Sequence, residues 1–253
     1  PMLPEALSNG WCSLRPDEDR RCLAVEIVID SDGAKRAHRF TRGLMRSAAR
    51  LTYAQAQAAA DGAPEEKTAP LMDGVIQPLF AAFAILRRAR EARGALEIEG
   101  TERQVLLDDG GQTAAIVPRA RYDSHKLIEE FMILANVCAA ETLEAQREPT
   151  LYRVHDRPAP DKVDALAEAL KGLDIAFGPG AAAKPSAFNR VLEQAAQTEA
   201  AVLVNELVLR AQAQAVYQPE NIGHYGLALR RYAHFTSPLR RYADLCVHRG
   251  LLA

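Results

Sequence analysis

Aromatic residues make up only 6% of the chain, tryptophan occurs once, and neither sign of charge prevails: 31 Lys and Arg against 33 Asp and Glu leave a formal net charge of −2 over 253 residues. A protein with a sequence pI near 6.4 does not coat nucleic acid indiscriminately, although a balanced total permits a locally basic channel. Cysteine is scarce too. Cys12, Cys22, Cys138 and Cys246 form no CxxC pair and have no histidine at ligand spacing, which argues against a zinc site or a disulfide framework. Most of them read as small buried hydrophobes in a reducing compartment. No apolar run approaches the roughly 18 to 20 residues of a membrane span, and PMLPEALSNG lacks the basic start and apolar region of a secretory signal. A cytoplasmic protein without a membrane partner is expected. What is present, 48% hydrophobic and 25% charged residues, is the composition of a globular protein with ample core. The chain starts with Pro1 and stops at LLA directly after a helix-like segment, so it reads as a piece of something longer.

Residues 22 to 30, CLAVEIVID, are rich in β-branched residues and stop at Ser31, Asp32 and Gly33; AKRAHRFTRGLMRSA returns as the second arm of a β-hairpin. That arm carries Lys35, Arg36, Arg39, Arg42, Arg46 and Arg50 without an acid among them, either a solvated charged face or an edge facing phosphates. Helices are predicted over 51–60 and 71–93. The second has an apolar stripe at Leu71, Val75, Leu79, Phe83 and Leu86, and a basic last turn that suits the negative end of the helix dipole. Short strands are predicted at ALEIE, RQVLLDD and TAAIVPR. A long helix over 123–147, capped by Asp123 or Ser124, is apolar almost all round from Phe131 to Ala140. Helices at DKVDALAEALKGL, 187–197 and 198–213 complete an α+β unit that is mainly helical in its second half, with no internal repeat.

The stretch HFTSPLRRYADLCVHR, residues 234 to 249, holds three arginines and two histidines around one acid, Asp244. Pro238 suits a first helical turn, so a helix start is predicted there with Thr236 or Ser237 as cap. Free amides and the dipole at such a terminus favour an anion. Arg240 and Arg241 in the same turn would suit a phosphate, since the guanidinium fork binds phosphate oxygens in pairs. The competing reading pairs both arginines with Asp244 as ordinary helix ion pairs. His224, His234 and His248 read as buried hydrogen-bonding residues. Tyr232, Phe235 and Tyr242 lie among the arginines, and rings among arginines suit single-stranded nucleic acid; packing is the expectation for Phe235 and Tyr242. Tyr53 is a further platform candidate. On the long helix Glu129 shares a face with Asn136, while Glu130 falls on the apolar stripe of Leu127, Leu134 and Val137. A carboxylate there is aimed into a site or paired with an arginine. His125 and Glu129 at i, i+4 are at most a weak metal signal.

HYGLALRRYAHFTSPLRRYADLCVHR resembles the signature near the end of the catalytic domain of the ribonuclease II and ribonuclease R family, processive 3′→5′ exoribonucleases. PMLPEALSNGWCSLRPDEDR, SAARLTY, RGALEIE, HKLIEEFMILAN and LYRVHDRP resemble further family segments in the same order, so the likeness spans the chain and leans toward the ribonuclease R side. It implies an RNB-type catalytic domain fragment over residues 1–253. The activity it implies is hydrolysis of single-stranded RNA, not DNA, to nucleoside monophosphates with magnesium at the cleaved phosphate. By the same resemblance Arg240 is the catalytic arginine, Tyr53 holds the terminal nucleotide, and Glu130 contacts the terminal ribose. Ser237, Arg241 and Tyr232 join the RNA-binding set. Ile98 stands where the family carries a base-stacking aromatic and supplies no comparable ring. The metal-binding aspartates and flanking RNA-binding barrels of the family are not in this chain, so the fragment alone is expected to be inactive. The second expectation is an RNA-binding module that does not cleave.

Overall fold

The computed structural model describes residues 2–98, 103–108, 110–178 and 184–253. The predicted hairpin is present as β1 (Asp19–Ile29) and β2 (Lys35–Arg46), paired antiparallel with Val25 opposite Phe40 and a register shift at Val28/Ile29. Gly33 closes the turn at φ 77°, a left-handed conformation that disfavours a side chain, and an added Cβ would lie 2.7 Å from the Ala89 Cβ. The turn therefore sits against the next long helix. The basic arm is largely neutralised: Lys35 pairs with Glu141 at 2.7 Å, Arg36 with Asp30 at 2.5 Å, Arg39 with Glu26 at 2.9 Å and Arg46 with Asp19 at 2.7 Å. Arg42 donates to the Leu252 carbonyl at 2.8 Å. Those cations are committed within the protein, which favours the charged-face reading over a phosphate-facing edge.

Helix α1 (Tyr53–Ala60) starts at a capping box between Thr52 and Gln55. The predicted helix over 71–93 is composite: a 3₁₀ turn (Ala69–Leu71), a π-helical turn (Met72–Ile76), then α2 (Gln77–Arg93) ending on left-handed Gly94. The π turn shifts the helical phase, so Ile76 is buried in place of Val75. Phe83 and Leu86 face inward as expected, but Val75 and Leu79 are exposed. Ala69–Arg93 is long and apolar enough by length and composition to cross a membrane, with 17% of its most apolar window buried. Counting uninterrupted apolar residues missed this, because Asp73 and Gln77 break the run.

ALEIE does not form a strand over residues 95–98, and Glu99 lies outside the described residues. The backbone groups of this segment go elsewhere: the Leu96 N–H donates to the Gly226 carbonyl at 2.7 Å, and the Asn189 amide takes the Ala95 carbonyl at 2.8 Å and the Glu97 N–H at 2.9 Å. The two later strands form as β3 (Arg103–Leu107) and β4 (Thr113–Pro118), paired antiparallel; Asp109 of the predicted RQVLLDD strand is outside the described residues. The long helix α3 (Asp123–Gln146) is capped by Tyr122 rather than Asp123 or Ser124. Then come β5 (Tyr152–Val154), α4 (Pro160–Lys171), α5 (Ser186–Ala195), α6 (Ala201–Ala211), β6 (Val216–Gln218), which pairs with β5, and α7 (Tyr242–Leu252).

Two cores organise these elements. One joins α4, α5 and α6 through Leu166, Leu170, Phe188, Val191, Val204 and Val208. The other joins α3, β5, the closing segment and α7 through Ala139, Leu143, Val154, Phe235 and Val247, with Leu23, Val25 and Phe40 of the hairpin against it. Helices α3 and α7 approach so closely that a Cβ at Gly250 would meet a Leu143 methyl at 2.8 Å. The second core is the base on which the closing motif rests.

Candidate functional site

The closing motif is not a helix at Ser237–Pro238. The chain turns over residues 237–240, with the Arg240 and Arg241 N–H groups both donating to the Ser237 carbonyl at 3.1 Å, and α7 begins only at Tyr242 with an extended Arg241 as its N-cap. The reason lies in Asp244, whose side chain is fully buried. Its Oδ1 accepts the Ser237 N–H at 2.7 Å, and its two oxygens accept the Arg241 fork at 2.8 Å each. A buried carboxylate is stable only when its lone pairs are filled, and filling them pulls Ser237 and Arg241 out of a helical first turn. The Ser237 N–H, expected to face an anion, is thus occupied. The ion-pair reading holds for Arg241 and fails for Arg240, which is exposed and makes no ion pair among the described residues.

The segment before the turn is pinned from both sides. Asn136 of α3 accepts the Phe235 N–H at 2.9 Å and donates to the Tyr232 hydroxyl at 3.0 Å. From α7, the His248 ring stacks on Phe235 at 4.5 Å, and its Nε2 donates to the Phe235 carbonyl at 2.9 Å. Leu239 is held by the Met2 N–H at 2.8 Å. Arg240 therefore projects from a turn anchored by α3, α7 and the N-terminal segment, a rigid mount for an exposed cation.

Two aromatic assignments change. Tyr232 is 8% exposed with its hydroxyl bonded, and burial raises its pKa, so its ring is not open for stacking a base. Tyr242, expected to pack, is 58% exposed, with the Arg249 guanidinium over its ring at 5.6 Å. Phe235 packs as expected, edge-on to Phe40 at 5.3 Å. His224, His234 and His248 are partly buried rather than fully buried; desolvation, assisted by neighbouring cationic side chains, depresses His224 to about 3 and His234 to about 4.

Around the start of α3 the other candidates assemble. Tyr53, 43% exposed, stacks on His125 at 4.0 Å with 22° between the rings. One turn further, Glu130 is 7% exposed and bonded through Oε1 to Arg90 Nη1 at 2.8 Å. Burial raises its pKa against the pull of Arg90. Arg90 also contacts Glu97, while Glu129 pairs with Arg121 at 2.8 Å. These charges line a groove of about 370 Å³ that also includes Phe83, Lys126 and Leu192. Ile98 lies apart, packed against the α4–α6 core.

Arg90 lies in the last turn of α2, as expected, and is also the largely desolvated partner of Glu130; His125, at most a weak metal candidate, makes an aromatic stack with Tyr53. Spacing along one helix shows neither partner. Among the described residues no three His, Cys, Asp or Glu side chains come together as metal ligands. The described donor set does not fit the magnesium that the resemblance implies.

The RNB domain family model matches residues 1–253. The chain is 40% identical over 253 residues to ribonuclease R of Vibrio parahaemolyticus, covering 99% of this chain and 30% of that protein. Two solved structures of Mycoplasma genitalium RNase R, 27% identical, are similar in fold. The complex with ribose methylated single-stranded RNA superposes with a TM-score of 0.92, over 99% of this chain and 39% of that one. The complex with double-stranded RNA superposes with a TM-score of 0.93, over 100% and 45%. The chain spans about 30% of the length of the curated relatives it matches.

Proposed function

The chain belongs to the RNB domain family, and from that premise we propose that it is part of the catalytic domain of a cytoplasmic 3′→5′ exoribonuclease that hydrolyses single-stranded RNA, and not DNA, to nucleoside monophosphates. The observation that carries this is Arg240: an exposed guanidinium without a carboxylate partner among the described residues, on a turn fixed by Asp244, Asn136 and Met2. A cation so mounted is preorganised for charge that grows on a phosphoryl group in the transition state, and needs no reorganisation to act on it. Arg241, by contrast, spends its fork on Asp244 and acts as support.

Tyr53 serves as the platform for the terminal nucleotide, since it combines an exposed ring with a fixed backbone. Glu130 is the group that meets the terminal ribose: Arg90 holds Oε1, and Oε2 accepts a 2′-hydroxyl, which DNA lacks. Ile98 contributes packing and no stack. Residues 1–253 act as one portion of a longer polypeptide, and this portion alone does not cleave. Magnesium, when bound to the complete protein, would supply Lewis-acid assistance at the phosphate; none of the steps assigned to this chain's residues passes through it.

The deciding experiment incubates end-labelled single-stranded RNA and magnesium with the complete polypeptide and, separately, with the 253-residue chain. Processive release of monophosphates by the complete polypeptide alone is expected. Tight RNA binding without degradation by the complete polypeptide would replace this reading with that of a non-cleaving RNA-binding module.

A further inference from the structure

We propose that His234 binds the RNA backbone: its Nε2–H donates to an oxygen of the phosphodiester next to the one met by Arg240, and Tyr217 is the positioning residue that fixes the imidazole for this contact. The inference rests on the reading of Arg240 as the group at the scissile phosphate.

His234 lies on the pinned segment that leads into the Arg240 turn, and two tyrosines meet its ring edge-on, Tyr217 at 5.6 Å and 71° and Tyr232 at 5.5 Å and 75°. Tyr232 is itself held by Asn136. The Tyr217 hydroxyl lies 2.7 Å from His234 Nδ1. Strand β6 places Tyr217 opposite Arg153 of β5, and the Arg153 guanidinium sits over the Tyr217 ring at 4.7 Å. The Arg153 N–H donates to the Tyr232 carbonyl at 2.8 Å, which ties this strand pair to the segment carrying His234.

A cation over the face of a phenol draws on its ring electrons and makes the hydroxyl a stronger donor. Tyr217 therefore donates to Nδ1, and the neutral imidazole carries its hydrogen on Nε2. Desolvation, with Arg241, Arg153 and Arg240 as cationic neighbours, holds the ring neutral, at about 4, against the pull of Asp244. Nε2 has no hydrogen-bond partner among the described residues and is not enclosed. Of the three arginines, Arg241 is committed to Asp244, whereas Arg153 and Arg240 make no ion pair among the described residues. An open N–H with two uncompensated cations for neighbours, in partly desolvated surroundings, suits the oxygen of a phosphodiester. Arg240 and His234 have separate mounts, the turn on one side and the β5–β6 pair on the other, so a strand passing both presents them with successive phosphates.

The test uses the complete polypeptide with a chelator, so that RNA is bound and not degraded. Fluorescence anisotropy compares a single-stranded RNA with RNAs carrying one uncharged methylphosphonate, moved through the last few 3′ linkages, with a 2′-O-methyl sugar on the 5′ side of that linkage in probe and control. His234→Leu is expected to weaken binding of the control about ten- to hundredfold. At one position the methylphosphonate should weaken the parent by a similar factor and leave His234→Leu unchanged. His234→Gln, which keeps an N–H donor and an acceptor for Tyr217, is expected to recover most of the affinity, and Tyr217→Phe to lose about threefold. A packing defect would weaken all the RNAs alike and would not separate leucine from glutamine, and that result overturns the contact. Arg240→Ala, assayed for turnover with magnesium, checks the premise separately. If its turnover falls while no methylphosphonate distinguishes the parent from His234→Leu, the His234 contact is overturned and the reading of Arg240 stands. If Arg240→Ala turns over as the parent does, that reading fails, and the placement of His234 beside it fails too.

Discussion

Replacing Asp244 with asparagine keeps the size of the side chain and removes the charge around which the closing motif is built. The carboxylate accepts three hydrogen bonds, one from the Ser237 N–H at 2.7 Å and two from Arg241 at 2.8 Å. Asparagine offers one oxygen and an amino group, so at least one of those donors meets another donor. The Arg241 guanidinium also loses its counter-charge. Breaking a fully buried ion pair costs about 3–5 kcal/mol. The Arg241 side chain is 18% exposed, so water recovers part of that, and about 2–3 kcal/mol is expected to remain. For a unit of this size each kcal/mol lowers the melting temperature by about 2–4 °C, which places the Asp244→Asn transition about 4–12 °C lower. Calorimetry on the complete polypeptide measures it. Turnover on single-stranded RNA should fall in the same variant, because the turn that mounts Arg240 loses its anchor although Arg240 itself is untouched. Melting within about 1 °C of the parent with unchanged turnover would refute the claim that Asp244 organises the motif.

Arg240→Ala in the complete polypeptide is expected to lower kcat by about 10²-fold or more with RNA affinity mostly retained, because a group acting on transition-state charge affects rate more than ground-state binding; single-turnover and anisotropy measurements separate the two, and equal turnover excludes the role. His224 and His234 are held neutral, at about 3 and about 4, below the ordinary value of about 6.5 for an unfolded histidine. Between those values the unfolded chain binds more protons than the folded one, so stability should fall as pH drops from about 6.5 toward 4. His234→Gln should flatten that slope in denaturant titrations at pH 7, 6 and 5, and an unchanged slope would count against a histidine held neutral by the fold. Gly33→Ala places a Cβ in a left-handed turn against Ala89 and is expected to destabilise by about 1–3 kcal/mol, seen as a lower melting temperature; no change would mean that the turn and α2 do not touch.

Local chemistry made much of the architecture readable. The hairpin follows from β-branched alternation broken at Ser31, Asp32 and Gly33, α3 from its long apolar run, and the end of α2 from Gly94. Reading failed where tertiary partners outweighed local preference. Pro238 favours a first helical turn, yet Asp244 draws Ser237 and Arg241 into a different geometry. ALEIE has the composition of a strand, yet Asn189 and Gly226 take its backbone groups. The π turn at Met72–Ile76 moved burial from Val75 to Ile76, a change of phase that regular 3.6-residue spacing does not foresee.

For the site, residue types and spacing raised Arg240 with Arg241, Tyr53 and Glu130 as candidates, because arginine forks, aromatic rings and a carboxylate on an apolar stripe each carry a recognisable chemical demand, and the family resemblance gave Arg240, Tyr53 and Glu130 their separate roles. Which neighbouring residue is committed to an internal partner and which is exposed came from the tertiary structure. Arg240 and Arg241 are adjacent and chemically identical, and only the position of a buried Asp244 separates the exposed cation from the structural one. In the same way Tyr232 and Tyr242 exchange their expected places, one buried against Asn136 and the other exposed beside Arg249. Side-chain chemistry is written locally, whereas burial and partnership depend on contacts between residues far apart in the chain.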